Sequence, residues 1–103
     1  MTPYIYPGLP VESRSIDTLI DTVGKVFNVT AGQIKSPTRE RDVVDARKVC
    51  AYLLNKKRNF TTLKVGKILN RDHSSIIYLV KQAEILISID KDFKERVHNL
   101  KFL

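Results

Sequence analysis

The sequence predicts an all-α fold, a compact helical domain containing a helix-turn-helix. Three observations carry this expectation. Apolar residues recur at three- and four-residue spacing in successive windows, the period of a buried helical stripe. No segment alternates between apolar and polar residues as a half-buried strand would. Ser, Thr or Asp stands ahead of most windows, and Asn or Pro falls in the breaks between them.

Residues 1–13 hold Pro3, Pro7, Pro10 and Gly8. Proline fixes φ and supplies no amide donor, so an irregular arm is expected there, ahead of a domain spanning 14–103. Ser15 reads as the N-cap of a first helix, with Asp17 and Asp21 early in it. Its stripe is Ile16, Leu19, Ile20, Val23, Val26 and Phe27, and Asn28 ends it. Thr30 then caps one short turn through Ile34. Pro37 disfavours helix just before it, so 36–41 reads as a polar, basic loop.

A long helix is expected from about Asp42 to Arg58, with Val43, Ala46, Val49, Cys50, Leu53 and Leu54 inward. Cys50 lies within that face and reads as a small core residue, not a nucleophile. Thr61 or Thr62 caps a short helix carrying Val65, Ile68 and Leu69. Asn70-Arg71 is a tight break. The next helix starts near Asp72 or His73 and runs to about Ser88, with Ile76, Ile77, Val80, Ala83 and Ile87 inward. Asp90 caps a last helix whose stripe is Phe93, Val97 and Leu100.

The 103 residues carry a net charge of +7, and its distribution matters more than its size. Between Lys35 and Lys81 twelve basic residues face only Glu40, Asp42, Asp45 and Asp72. The whole excess therefore sits in the middle of the chain. A concentrated basic field attracts phosphate backbones or other anionic surfaces, although it also serves solubility.

The informative constellation spans about Thr61 to Lys81: a short helix, a break, then a helix whose first turn is polar. That is the layout of a helix-turn-helix, whose second helix lays its N-terminal residues in the major groove. Here that turn offers Arg71, Asp72, His73, Ser74 and Ser75, and apolar residues begin at Ile76. Capping explains one of these residues but not five polar ones in a row.

Ala46-Arg47-Lys48, Val65-Gly66 and above all Arg71-Asp72-His73-Ser74-Ser75-Ile76 resemble the C-terminal DNA-binding domain of the bacterial chromosomal replication initiator DnaA. The resemblance covers roughly Ile16 to Leu103. It implies a Trp-repressor-like helical domain of the DnaA C-terminal type. It also implies roles for individual positions. Asp72, His73 and Ser74 match the residues with which the family reads the major groove; an Asp can accept from a cytosine amine and a Ser can bond several base edges. Arg39, with Arg41 as its neighbour, matches an Arg that enters the minor groove, where a narrow groove favours Arg. Arg47, Lys48, Arg71 and Ser75 match phosphate-contacting positions, and Thr62 and Leu63 match a helix start whose amides meet phosphate. Lys56 is expected to stand in for a family lysine replaced here by Asn55, and Lys81 adds a phosphate contact further along.

Two departures affect this expectation. The break at Leu69-Asn70 is one residue shorter than the usual glycine-containing turn. The glycines, Gly8, Gly24, Gly32 and Gly66, form no G-x-x-x-x-G-K-[ST] loop, so the chain carries no sign of an ATPase. The expected partner is double-stranded DNA, together with replication or transcription proteins, and the expected role is an accessory replication factor or regulator. No cofactor, metal, membrane or small-molecule substrate is expected. A lone cysteine and the lack of a signal peptide suit a cytoplasmic, nucleoid-associated protein. Met1 and the arm suggest a complete small protein encoded by a phage or mobile element. The alternative is a basic protein-interaction module that binds an acidic partner, with Tyr4, Ile5, Tyr6 and Tyr78 as candidate contacts. An enzyme is disfavoured, because His73 and His98 sit on separate helices and no metal spacing occurs. RNA binding is disfavoured by the lack of an aromatic platform among the basic residues.

Overall fold

The computed structural model describes residues 11–100. Six helices follow in order: α1 Val11–Phe27, α2 Ala31–Lys35, α3 Arg41–Tyr52, α4 Thr62–Leu69, α5 His73–Ile89 and α6 Lys91–Asn99. No strand occurs among the described residues, so the all-α expectation holds. The arm expected at the N-terminus lies, over 1–10, outside the described residues.

Capping residues set most of the boundaries. Thr30 closes a reciprocal capping box with Gln33 at the start of α2. Thr61 Oγ1 accepts from Lys64 N at α4, and Asp90 Oδ1 accepts from Phe93 N at α6. Each satisfies an amide that the helix itself leaves unpaired. Asn28, Asn59 and Asn70 all take φ near +60°, and Asn28 and Asn70 directly follow α1 and α4. Asparagine tolerates this left-handed conformation better than other non-glycine residues.

Ser15 is not an N-cap. Helix α1 begins at Val11, so Ser15 is an interior residue, and its Oγ accepts from Arg58 Nη1 at 2.7 Å.

Helix α3 contacts α1 and α5, while α4 and α6 each pack on α5. The core runs through these contacts, from Leu19, Ile20 and Val23 through Val49, Leu53 and Leu54 to Val65, Leu69 and Ile76. Each such aliphatic side chain, fully buried, stabilises the fold by about 1.5–3 kcal/mol before entropy is counted. Two residues expected inside face out instead: Val26 is 38% exposed and Ile77 43%. Successive helical residues stand about 100° apart. With Ile76, Leu79, Val80 and Ala83 on the core side, Ile77 is turned away. At the end of α1 it is Phe27 that reaches inward, its ring centroid 6.2 Å from that of Phe93.

The long helix does not stay α-helical to its end. After Tyr52 it widens into a π-helical turn, Leu53–Lys57. Arg58 N donates to Leu53 O, the i→i+5 bond of such a turn. The wider turn lets the adjacent Leu53 and Leu54 both reach the core, where both are fully buried.

Gly66 fixes the join between α4 and α5. Arg71 N donates to Gly66 O at 2.8 Å, which draws the turn back over the helix. A Cβ on Gly66 would fall far inside contact distance of Arg71 O. Gly66→Ala is therefore expected to destabilise the domain by about 1–3 kcal/mol, the usual range for overpacking, despite alanine's better helix propensity. Urea unfolding checks this; a variant as stable as the parent would show that the turn can give way.

Candidate nucleic-acid interface

The break between α4 and α5 is three residues: Asn70, Arg71 and Asp72. Asn70, at φ 59°, ends α4 with the conformation that a glycine would otherwise supply. Asp72 is the N-cap of α5, and its Oδ1 accepts from Ser75 N at 2.8 Å. That backbone bond, followed by the hydrogen bond to the Ser75 side chain, holds the Asp72 carboxyl below its ordinary range. The cap consumes part of Asp72's accepting capacity. A carboxylate has about four lone-pair sites, so capacity remains for a base edge.

His73 and Ser74 follow as the first residues of α5, and both are exposed. Ser75 and Arg71 are half-buried beside them. The sequence-expected reading residues Asp72, His73 and Ser74 thus stand together at one projecting helix start. The rest of the motif is anchored below by Ile76, which is fully buried. Leu63, 62% exposed in the first turn of α4, lines the adjoining groove with Gly66, Asn70 and His73. Thr62 beside it is half-buried. Thr61, not Thr62, caps that helix.

Arg39 is exposed in the 36–40 loop, and Arg41 is exposed at the first position of α3. With Lys48 they line a shallow concavity of about 250 Å³ over Val44, Leu86 and Phe93. Lys48 is held loosely by Asp45, 3.8 Å away one turn earlier. Lys56 is exposed in the π-helical turn, and Lys81 is exposed on α5. Asn55 is directed inward, its Nδ2 donating to Phe60 O at 2.8 Å.

Arg47 has a structural setting that its sequence position does not suggest. It is only 4% exposed. Its Nε donates to Ile34 O at 2.8 Å, and its Nη2 donates to Ser36 O at 2.8 Å and Thr38 O at 3.1 Å, with a longer contact to Gln33 O. Burial, then the nearby Arg71 charge, lowers its pKa. Its hydrogen-bond partners are carbonyl dipoles throughout, spread over residues 33–38. Only its edge meets an open concavity of about 390 Å³ shared with Arg71, Asp72, Ser74, Ser75 and Tyr78.

Two exposed residues beside the motif join this face without a sequence motif to announce them. Lys67, in the last turn of α4, lines the groove with Leu63 and His73. Tyr78 is 61% exposed and lies one turn beyond Ser74 on α5. The four-residue spacing from Ser74 is the available signal for Tyr78. Elsewhere, burial pushes the Cys50 thiol well up, which keeps it an unreactive core group. No group of three or more His, Cys, Asp or Glu among the described residues could hold a metal ion. No described helix is long and apolar enough to cross a membrane.

Residues 16–83 match the family model described as the bacterial dnaA protein helix-turn-helix. Similar relatives are full-length chromosomal replication initiator proteins DnaA. That of Bacteroides fragilis is 33% identical over 90 residues, covering 86% of this chain and 19% of the relative. That of Mycoplasma genitalium is 35% identical over 82 residues, covering 80% and 19%. That of Thermosipho africanus is 37% identical over 71 residues, covering 69% and 16%. The chain thus spans about a fifth of the length of these relatives.

Proposed function

Because the chain belongs to the bacterial DnaA helix-turn-helix family, we propose that it binds double-stranded DNA and reads a specific sequence through the start of α5. The observation that carries this reading is the projecting run Arg71–Ser75, with Asp72 capping α5 and His73 and Ser74 exposed beside it. In this reading Asp72, His73 and Ser74 meet base edges in the major groove. Arg39, with Arg41 next to it, enters the adjacent minor groove. Lys48, Lys56, Arg71, Ser75 and Lys81 meet phosphates, as do the backbone amides at Thr62 and Leu63. Lys67 and Tyr78 extend that surface, while Arg47 contributes from beneath it. The finer assignment is recognition of an origin-box-like sequence in the service of replication or its regulation, on the nucleoid.

Two contributions to binding separate by experiment. Phosphate contacts release counterions and give a steep salt dependence, while base contacts give discrimination. Selection of bound sequences from a random duplex library, at two salt concentrations, is expected to return one motif at both. Binding that vanishes at the higher salt with no motif recovered would reduce the function to nonspecific electrostatics. Lys81→Ala is expected to weaken all duplexes alike and to lower the salt slope by about one unit. A Lys81→Ala effect confined to the selected sequence would instead make that residue a base contact.

A further inference from the structure

The 36–40 loop has little of its own to hold it. Its local bonds are short-range: Ser36 N and Oγ to Gln33 O at one end, Thr38 N to Ser36 Oγ at 3.4 Å, Glu40 N to Thr38 Oγ1 at 3.3 Å, and Val44 N to Glu40 O at the other end. Glu40 gives α3 no side-chain cap. What fixes the loop comes from elsewhere in the chain. Arg47, from α3, grips the Ser36 and Thr38 carbonyls from below. Arg71, from the turn before α5, donates through Nη2 to the same Ser36 carbonyl. Arg71 is itself tied to α4 by its backbone bond to Gly66 and by Nη1 to Asn70 O at 3.1 Å.

Two guanidinium groups therefore converge on one carbonyl oxygen, and they join the loop to the helix-turn-helix across 35 residues of chain. The arrangement is costly in itself. The Arg47 charge is desolvated and faces a like charge, and like charges at close range repel. The arrangement ties the loop to two separate elements, α3 through Arg47 and the turn before α5 through Arg71. It suits a device that fixes the loop relative to α5. Arg39 sits directly after the gripped Thr38 carbonyl, and His73 sits two residues after Arg71.

We propose that Arg47 and Arg71 are positioning residues that lock the Arg39 loop to the start of α5, so that minor-groove and major-groove reading occur at one preset spacing. The proposal rests on the DNA-reading assignment of Arg39 and His73 made above. Held in place before binding, Arg39 loses less conformational freedom when it enters the groove.

The test is a set of double-mutant cycles on the full 103-residue chain, titrated with the duplex that selection returns. Arg39→Ala and His73→Ala are each expected to weaken the parent by about tenfold. Arg47→Lys keeps the charge but cannot fork across three carbonyls. In the Arg47→Lys background, Arg39→Ala is expected to cost less than about twofold while His73→Ala keeps its tenfold penalty. Equal Arg39→Ala penalties in both backgrounds would overturn the proposal and leave Arg47 a phosphate contact or scaffold. Loss of both penalties together would also overturn it, because that is a general loss of structure. No effect of Arg39→Ala in the parent, with His73→Ala still costly, would remove the minor-groove assignment on which the proposal stands. Should Arg47→Lys fail to fold, Arg71→Lys provides the same comparison of penalties: it breaks the link from loop to turn, and any loss of Arg71's own phosphate contact weakens every protein in that background alike and cancels from the ratio. Hydrogen exchange without DNA gives a second readout. The amides of 38–40 should exchange faster in either variant while those of α5 do not change; unchanged loop protection would sink the lock.

Discussion

An Asp72→Asn variant is expected to unfold at the parent's denaturant midpoint yet to lose about tenfold or more in discrimination between the selected duplex and a mismatched one. The two halves of this outcome come from two uses of one side chain. Oδ1 accepts from Ser75 N and starts α5. The remaining accepting capacity is what a cytosine amine would use. Asparagine caps about as well as aspartate, so the helix start survives, but it replaces an acceptor with an amide donor and loses the charge. Asp72→Ala is expected to lose both properties, with a lowered midpoint as well as lowered discrimination. Comparing the two variants separates reading from capping. An Asp72→Asn protein that still discriminates as well as the parent would confine Asp72 to its cap.

Acid strengthens the distinction. The folded Asp72 carboxyl lies below its ordinary value, so its cap stabilises the fold above that ordinary value. The contribution is lost as pH falls through the lowered one. The gap in unfolding midpoint between the parent and Asp72→Ala should therefore shrink on acidification. The Asp72→Asn cap does not titrate and should persist.

Much of this site is legible in the sequence because its signals are local. A polar first turn ahead of Ile76, a Thr three residues ahead of Lys64 and an Asp three ahead of Ser75 are short-range patterns, and the structure realises them as a projecting helix start and two caps. The apolar stripe marks the core of α3 at each expected position. Periodicity misleads where two neighbouring positions satisfy it equally. Ile77 is as apolar as Ile76, and only the packing of α5 against its neighbours decides which of the two faces inward. Ser15 resembles a cap because no local rule says how far a helix extends upstream of its first stripe residue.

Arg47 is the least legible. A charged residue on a long helix reads as surface, and its position in the Ala46-Arg47-Lys48 motif reads as a phosphate contact. Its partners are carbonyls 9 to 14 residues earlier, in a short helix and loop whose path no sequence pattern fixes. Lys48, one residue on, keeps the half-exposed character that the pattern suggests.

The Arg47→Ala variant is accordingly expected to be the most destabilised single substitution on this face, by about 2–4 kcal/mol. The Ile34 carbonyl is the principal loss. Its bond from Arg47 Nε is buried, and a buried acceptor stranded by a deletion costs about 1–3 kcal/mol. The Ser36 and Thr38 carbonyls lie closer to solvent, so water recovers part of their loss. The aliphatic stem of Arg47 adds packing that alanine lacks. Relief of repulsion with Arg71 works the other way and keeps the total below the sum of the parts. At a urea dependence of about 1–3 kcal/mol per molar, the midpoint should fall by roughly 1–4 M. Lys81→Ala, on an exposed side chain, should move the midpoint little. Its cost is expected in binding and its salt slope, whereas that of Arg47→Ala is expected in folding before any DNA is added. Equal midpoints for the two variants would return Arg47 to the role of a surface phosphate contact.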